Sequence, residues 1–526
     1  MVQRNRTKSS SSNSFHDIDH IRDHKHKQYL QFLLLRCLPL LLLMIFTAAS
    51  MLRLLSLPAG ALFVEEEEVR DHSKYSIRTH IPSSKAHQEI KTEAAAATAS
   101  SPITCSALID GTSRETVVDD GRAVLCCDRS HHRTDVCYMR GDIRTDPSTS
   151  SISVYGPVLE GLSWNSTTGP ERIRPYTRKW ETGVMNTIDE ITLRAVPPSG
   201  PAAAAACEVD HGGVPGVVLS TGGYTGNVYH EFNDGLIPLY ITTKRFEGEV
   251  VLVVLEYHSW WVTKYGTVLE KMSNYKLVDF AKDGRVHCFS ELIVGLKIHG
   301  ELTIDPQLIM PQGSKIGIHD FQALVNQGFG NSMQPQPSKE YCCSPKPKMA
   351  IFIRNKSRVI LNLREVVRAC QRAGFQVQIL NPKRTTPLSE IHAALSSSQA
   401  MLAVHGAAVT HFLFMRPGSV LLQIVPLGLD WAAAEYYGEP ARKLGLEYME
   451  YKVAKHESSL SKEYDSHDPV LVNPSAITSK GWDETKKIYL EKQNVRLNIR
   501  RFSKVLSRAH SHACLSFTCK GGVTSL

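Results

Sequence analysis

The stretch MAIFIRNKSRVILNLREVVRACQRAGFQVQILNPKRTTPLSEIHAALSSSQAMLAVHGAAVTHFLFMRPGSVLLQI (349–424) decides how this chain folds. Short apolar runs at 349–353, 376–380, 400–404 and 420–424 have strand length. Between them, 363–373 and 387–396 carry apolar residues at helical spacing, and Gly374 marks the end of the first helix. Strand, helix and strand in alternation predict a parallel, doubly wound sheet. A further helix is expected to open at Gly406.

Upstream, 151–155, 217–220, 250–255 and 276–279 read as strands. The run 250–254 is nearly all β-branched, as suits a strand covered on both faces. A helix opened near Asn227 continues through 236–244. The Pro-rich segment QPQPSKEYCCSPKPK (334–348) separates this part from the next, and 482–510 reads as a long terminal helix region. The expected class is α/β with two Rossmann-like halves, an N-terminal one (102–335) and a C-terminal one (349–480). A linker (336–348) joins them, and a helix and tail (481–526) follow.

The N-terminal 101 residues differ in kind. The run CLPLLLLMIFTAASML (37–52) has no charge and would span about 24 Å as a helix, which suits a thin bilayer. Flanking apolar residues extend it to 32–57, with Arg36 and Arg53 able to snorkel. Arg4, Arg6, Lys8, Arg22, Lys25 and Lys27 precede it, whereas Arg53 and the acidic run Glu65 to Glu68 follow. Positive-inside bias puts the tail (1–31) in the cytosol and the bulk of the chain in the lumen. A cleaved signal peptide ending near Ala48-Ala49 is the rival reading, and the long polar tail argues against it. Residues 58–101 read as a flexible stem.

Composition limits the function classes. The 526 residues carry a net charge of +8 and are 42% apolar. No basic stripe interleaves with aromatics, so nucleic acid is not an expected partner. Twelve cysteines include no C-x-x-C pair. Cys105, Cys126, Cys127 and Cys137 crowd together, which favours local disulfides in a lumenal protein. With Cys37 in the apolar run, an odd number remains, so at least one is free or pairs with another chain.

Three segments carry possible chemistry. Arg354, Lys356, Ser357 and Arg358 follow a strand at the sheet edge where ligands bind, and their charges suit a diphosphate; a solvated basic turn is the plain alternative. At His405, Gly406 and Ala407 a strand meets a helix through small residues, which lets backbone N–H groups approach a phosphate; a tight turn with a packing histidine would look the same. His230 and Asp234 share a helix face after the glycine-rich turn 222–226 and offer a general base, or a helix-capping pair. His230-Glu231 starts an H-E-x-x-H motif, but Asp234 stands where the second His would be. No G-x-S-x-G hydrolase elbow is present. The sole Asp-x-Asp, Asp17 to Asp19, lies in the cytosolic tail, so no bound metal or other cofactor is expected.

Together these residues resemble plant glycosyltransferase family 61, in the grass xylan-modifying group. The resemblance runs from Cys126 to about Lys452. It includes Cys127-Asp128-Arg129-Ser130, Arg133-Thr134-Asp135-Val136-Cys137 and Gly141-Asp142-Ile143-Arg144. It continues through Gly226 to His230 with Asp234, Arg354 with Ser357-Arg358 and Leu361-Asn362, and His405-Gly406-Ala407. Tyr436-Tyr437-Gly438, Pro440-Ala441 and Tyr448 close it. It implies a GT-B-like fold, an inverting mechanism and a type II Golgi membrane protein. It also implies pentose transfer from UDP-arabinofuranose or UDP-xylose to a xylan acceptor. By similarity, Arg354, Ser357, Arg358, His405, Gly406 and Ala407 would hold the diphosphate. His230 and Asp234 would face the acceptor, with Asp234 slightly preferred as base because a carboxylate is ionised at mildly acidic pH. Ala408 and His411 depart from the family pattern. They keep open a catalytically impaired scaffold in a Golgi synthase complex, as a homo- or hetero-oligomer with or without disulfide links. Glu435 or Glu439 would meet the ribose. Of two sequons, Asn165 is expected to be glycosylated, and Asn355, inside the diphosphate loop, is expected to be bare.

Overall fold

The computed structural model describes residues 104–112, 122–159, 169–196, 206–309, 315–330 and 346–515. They belong to one compact unit, Thr98–Leu526. The expected anchor and stem, the sequon at Asn165 and most of the Pro-rich segment lie outside the described residues. Among the described residues no helix is long and apolar enough to cross a membrane.

The C-terminal part forms the expected sheet. Its strands are β11 (Lys348–Phe352), β12 (Gln376–Leu380), β13 (Ala400–Val404), β14 (Val420–Val425) and β15 (Glu447–Lys452). They run in the order β12-β11-β13-β14-β15, and every pair is parallel. Helices Leu363–Arg372 and Leu388–Ser396 make the crossovers. The chain first steps from β11 to one side and then winds to the other, so the switch point lies between β11 and β13.

The N-terminal part is a mixed ten-stranded sheet rather than a plain Rossmann unit. Its parallel portion has β7 (Gly216–Ser220), β8 (Val251–Leu255), β9 (Val278–Asp279) and β10 (His287–Val294) in the order β10-β7-β8-β9. The two-residue β6 (Val209–Asp210) also pairs with β10. On the far side of β10, β2 (Val136–Asp146) runs antiparallel. Beyond it lie β3 (Ser151–Tyr155), β5 (Ile191–Val196) and β4 (Glu171–Ile173), and β1 (Val124–Asp128) pairs with β2. The expected strand at 276–279 shrinks to the two residues of β9.

Burial explains the apolar runs. Val217 and Leu219 of β7, and Leu252 and Val254 of β8, enter one core. Val218, Val251, Val253 and Leu255 between them enter a second core on the other face. In the C-terminal sheet, Ala350, Phe352, Met401 and Ala403 join the same first core. Met349, Ile351, Ala400 and Leu402 pack on the outer side with Phe502 and Leu506. The two sheets therefore share one apolar core between them, and alternation along each strand feeds two faces.

Two helix expectations change. The segment after Gly406 is a 3-10 helix, Ala407–Phe414. The terminal region is broken: a helical stretch, α at Trp482–Thr485 and π at Lys486–Lys492, gives way to an extended piece in which Val495 bridges Ile360 and Ser458. Only Ile499–Leu515 is a long helix. Cys105–Cys126 and Cys127–Cys137 are the local disulfides, and Cys207–Cys288 is a third that spacing did not indicate. Among the described residues Cys370 and Cys514 are free.

Candidate active site

At the C-terminal switch point, the loop after β11 and the turn after β13 lie side by side. Arg354 Nε donates to the Ser357 carbonyl at 2.9 Å, which curls the loop. Arg358 adopts φ +56° and donates through Nη1 to the His405 carbonyl at 3.0 Å. Arg358 Nε is buried without a partner, and among the described residues no carboxylate pairs with either guanidinium. Burial lowers the pKa of both groups, and the neighbouring Arg354 helps to push Arg358 down to about 9. Two half-buried cations without a counter-ion make a place for an anion.

Gly406 makes this packing possible. Its φ is +142°, and a Cβ there would lie 2.6 Å from Arg354 Nη1 and 2.9 Å from Arg358 Nη1. His405 is buried and pushed down to about 3, by burial first and then by the two arginines, so it is neutral. The Gln423 amide nitrogen lies 2.9 Å from His405 Nδ1, while the Gln423 carbonyl accepts from Tyr448 Oη at 2.7 Å. That network assigns the ring proton to Nε2. Ala407 opens the 3-10 helix beside these groups. His411 points its chemistry elsewhere: Nδ1 donates to the Ala408 carbonyl at 2.9 Å, and the ring stacks on Phe352 at 5.3 Å. With Ala408 packed against the shared core, both departures from the family pattern are packing residues.

The N-terminal sheet has its own switch point, between β10 and β7. Gly223 (φ +60°) lets the turn after β7 pass over Tyr176, whose ring would lie 2.7 Å from a Cβ. The Asn227 side chain caps the helix that follows by accepting from Tyr229 N at 3.1 Å. That helix contains a π turn, Glu231–Leu236, before it returns to α geometry at Ile237–Thr243. Such turns recur at functional positions.

Asp234 is enclosed. Its side chain is 0% exposed. It accepts from Arg178 Nε at 2.9 Å, from Asn233 Nδ2 at 2.7 Å and from His230 Nδ1 at 2.6 Å, with Arg133 Nη2 at 3.8 Å. Burial would raise its pKa, but the His230 hydrogen bond and Arg178 outweigh that and hold it below the usual carboxylate range. His230 keeps 14% of its side chain exposed, with Tyr224 stacked on it at 4.2 Å. The preference for Asp234 as base therefore does not fit. The carboxylate has no surface to offer a substrate, whereas it fixes Nδ1–H of a histidine that does.

Beside this pair lie two acids, Glu231, which the sequence offered only as the second residue of an H-E-x-x-H start, and Glu301, which it did not offer. Glu231 is buried against the Trp261 indole and accepts from Gly226 N at 2.6 Å, and burial pushes it up to about 7. Glu301, in the loop after β10, pairs with Arg133 at 2.9 Å and accepts from Tyr229 Oη. Nothing local in the sequence marks Glu301; only the pairing of β10 with β7 brings it here. Glu435 and Glu439 are both exposed, and Glu439 is tied to Arg442 at 2.7 Å.

The two switch points face one another across aromatic rings. Tyr437 lies 5.3 Å from His405 and 5.9 Å from Tyr229, and Tyr229 lies 5.1 Å from His230. Nearby, Arg384 crosses from the C-terminal half to stack on Trp260 at 3.8 Å. These rings thus stand between an anion-seeking cluster and a histidine–carboxylate cluster.

The profile of the Glycosyltransferase 61 family matches residues 251–422, which span β8 to β14. A xylan glycosyltransferase of Arabidopsis thaliana, MUCI21, is 49% identical over 400 residues, covering 74% of this chain and 79% of that protein. The rice beta-1,2-xylosyltransferase XYXT1 is 36% identical over 77% of this chain and 88% of its own length. The rice alpha-1,3-arabinosyltransferase XAT3 is 34% identical over 73% of this chain and 64% of its own.

Proposed function

The chain belongs to glycosyltransferase family 61 and is a glycosyltransferase; from that premise we propose that it moves a pentose, xylose or arabinofuranose, from a UDP-sugar onto xylan with inversion. The observation that carries this reading is the pair of half-buried, carboxylate-free arginines, Arg354 and Arg358, across a layer of aromatic rings from His230 and Asp234.

In this mechanism Arg354 and Arg358 bind the donor diphosphate, with Ser357, the Nε2–H of neutral His405 and the backbone at Gly406 and Ala407 beside them. His230 Nε2 takes the proton of an acceptor hydroxyl. The hydroxyl oxygen attacks the anomeric carbon as the bond from that carbon to the β-phosphate oxygen breaks. UDP departs with the bonding pair, and its growing charge is met by the two guanidiniums. Asp234 steadies the imidazolium that forms. A single displacement inverts the anomeric centre. Guanidinium charge neutralises the diphosphate, so activity is expected to survive chelation of divalent metal.

The two facing sheets support a GT-B arrangement, with donor on the C-terminal half and acceptor on the N-terminal half. The charge asymmetry around 32–57 and the disulfides support a type II protein of the Golgi membrane. The test is incubation of the purified protein with UDP-xylose and with UDP-arabinofuranose on xylooligosaccharides, followed by linkage analysis. Arg354→Ala should abolish transfer from both donors and the rise in melting temperature caused by UDP. A UDP shift that persists in this variant would overturn the diphosphate assignment.

A further inference from the structure

Three tryptophans among the described residues are exposed: Trp180 at 47%, Trp431 at 42% and Trp482 at 44%. Scattered exposed apolar residues need no explanation, but these three are not scattered. Trp482 lies 6.1 Å from Trp431, and Trp431 lies 5.7 Å from Tyr436. Tyr436 lies 5.6 Å from Tyr229, the ring that borders His230. On the other side of His230, Tyr224 stacks at 4.2 Å. The Arg178 guanidinium then joins Tyr224, at 5.9 Å, to Trp180, at 5.2 Å. The rings form one file, with exposed indoles at both ends and the candidate base between them.

We propose that this file is the acceptor track, on which an extended, uncharged pentopyranose chain lies across His230 with sugar units on both sides of the reacting one. This rests on the glycosyltransferase reading and adds which residues take the polymer. A pyranose ring is amphipathic: its C–H faces seek aromatic faces, and its hydroxyl edges seek water or polar groups. Indole and phenol rings combine an apolar face with a polar handle and lose little entropy on binding. The file is also interrupted by charged groups, Arg178 and Glu181 near Trp180 and Asp430 beside Trp431, rather than forming a broad apolar patch of the kind that marks a protein interface. Trp431 follows β14 at the ligand edge of its sheet, so the C-terminal half supplies part of the track.

Affinity electrophoresis of the full chain in gels containing soluble xylan, with galactomannan gels as control, reads binding without turnover. The KM for xylooligosaccharides of increasing length reads the remote subsites. Xylan should retard the wild type, and KM should fall as the acceptor lengthens. W431A, W482A and W180A should each weaken xylan binding about tenfold, as for one aromatic anchor, and flatten the length dependence. The UDP-induced melting shift should be kept in each, which shows the variants are folded, and W431Y should restore binding. Tyr275→Ala, exposed but off the file, should change nothing. Unchanged retardation and length dependence in all three tryptophan variants would overturn the track while leaving the transferase reading intact. Tryptophan-dependent xylan retardation without pentose transfer would support the track and overturn the transfer reaction.

Discussion

The histidine–carboxylate pair shows how one residue's surroundings divide labour. Asp234 balances Arg178, Arg133 and His230 inside the protein. Its folded pKa is depressed, so the stability it adds is present above the unfolded value of about 3.9 and is lost only as pH falls through the lower folded value. Asp234→Asn should therefore destabilise the protein by about 3 kcal/mol near neutral pH, because Arg178 and Arg133 lose a fully buried carboxylate and keep only Glu181 and Glu301. Denaturant melts measure this. His230→Gln should melt close to wild type yet lose about 100-fold or more in kcat with UDP binding intact. Equal loss of stability in the two variants would place both residues in a purely structural role. Glu231 behaves oppositely. Its folded pKa of about 7 lies above the unfolded value of about 4.3, so its contribution is full below about 4.3 and is lost as pH rises through about 7. The wild-type melting temperature should fall between about pH 5 and about pH 8, and Glu231→Gln should flatten that fall. An unchanged slope would mean that Glu231 does not titrate there.

At the scale of elements, the chemistry sits at turns whose shapes depend on single residues. The turn after β13 brings two like-charged side chains against a backbone that only glycine supplies. Gly406→Ala should cost about 1–3 kcal/mol of stability and weaken UDP binding, since a methyl group would meet Arg354 and Arg358 on a left-handed backbone. Isothermal titration with UDP checks it, and wild-type affinity in this variant would show that the arginines do not need that approach. The strands β11, β13 and β14 were legible because alternate residues fill two cores, which leaves long apolar runs in sequence. The 3-10 form of Ala407–Phe414 and the π turn at Glu231–Leu236 were not, because local spacing does not separate them from α geometry. The terminal helix was misread for a related reason. Its first stretch follows helical spacing, yet Val495 is drawn out to bridge Ile360 and Ser458.

For the whole molecule, the disulfides divide by sequence distance. Cys105–Cys126 and Cys127–Cys137 tie the start of the sheet locally, and Cys207–Cys288 closes a separation of 81 residues. Replacing Cys207 and Cys288 together with serine should cost about 2–5 kcal/mol, and a melting temperature equal to wild type would deny that bridge a stabilising role. By itself the sequence determined the α/β class, the parallel C-terminal sheet and the two segments of charged and small residues at its edge, because hydrophobic period and turn chemistry are local properties. It also supplied His230 and Asp234 as neighbours, since four residues on a helix share a face. Only the tertiary structure decided which of them meets solvent, because burial of Asp234 comes from Arg178 and Arg133 on distant segments. It alone brought Glu301 beside Tyr229 and set the two switch points face to face, because those contacts are made by strand order and by a core shared between two sheets.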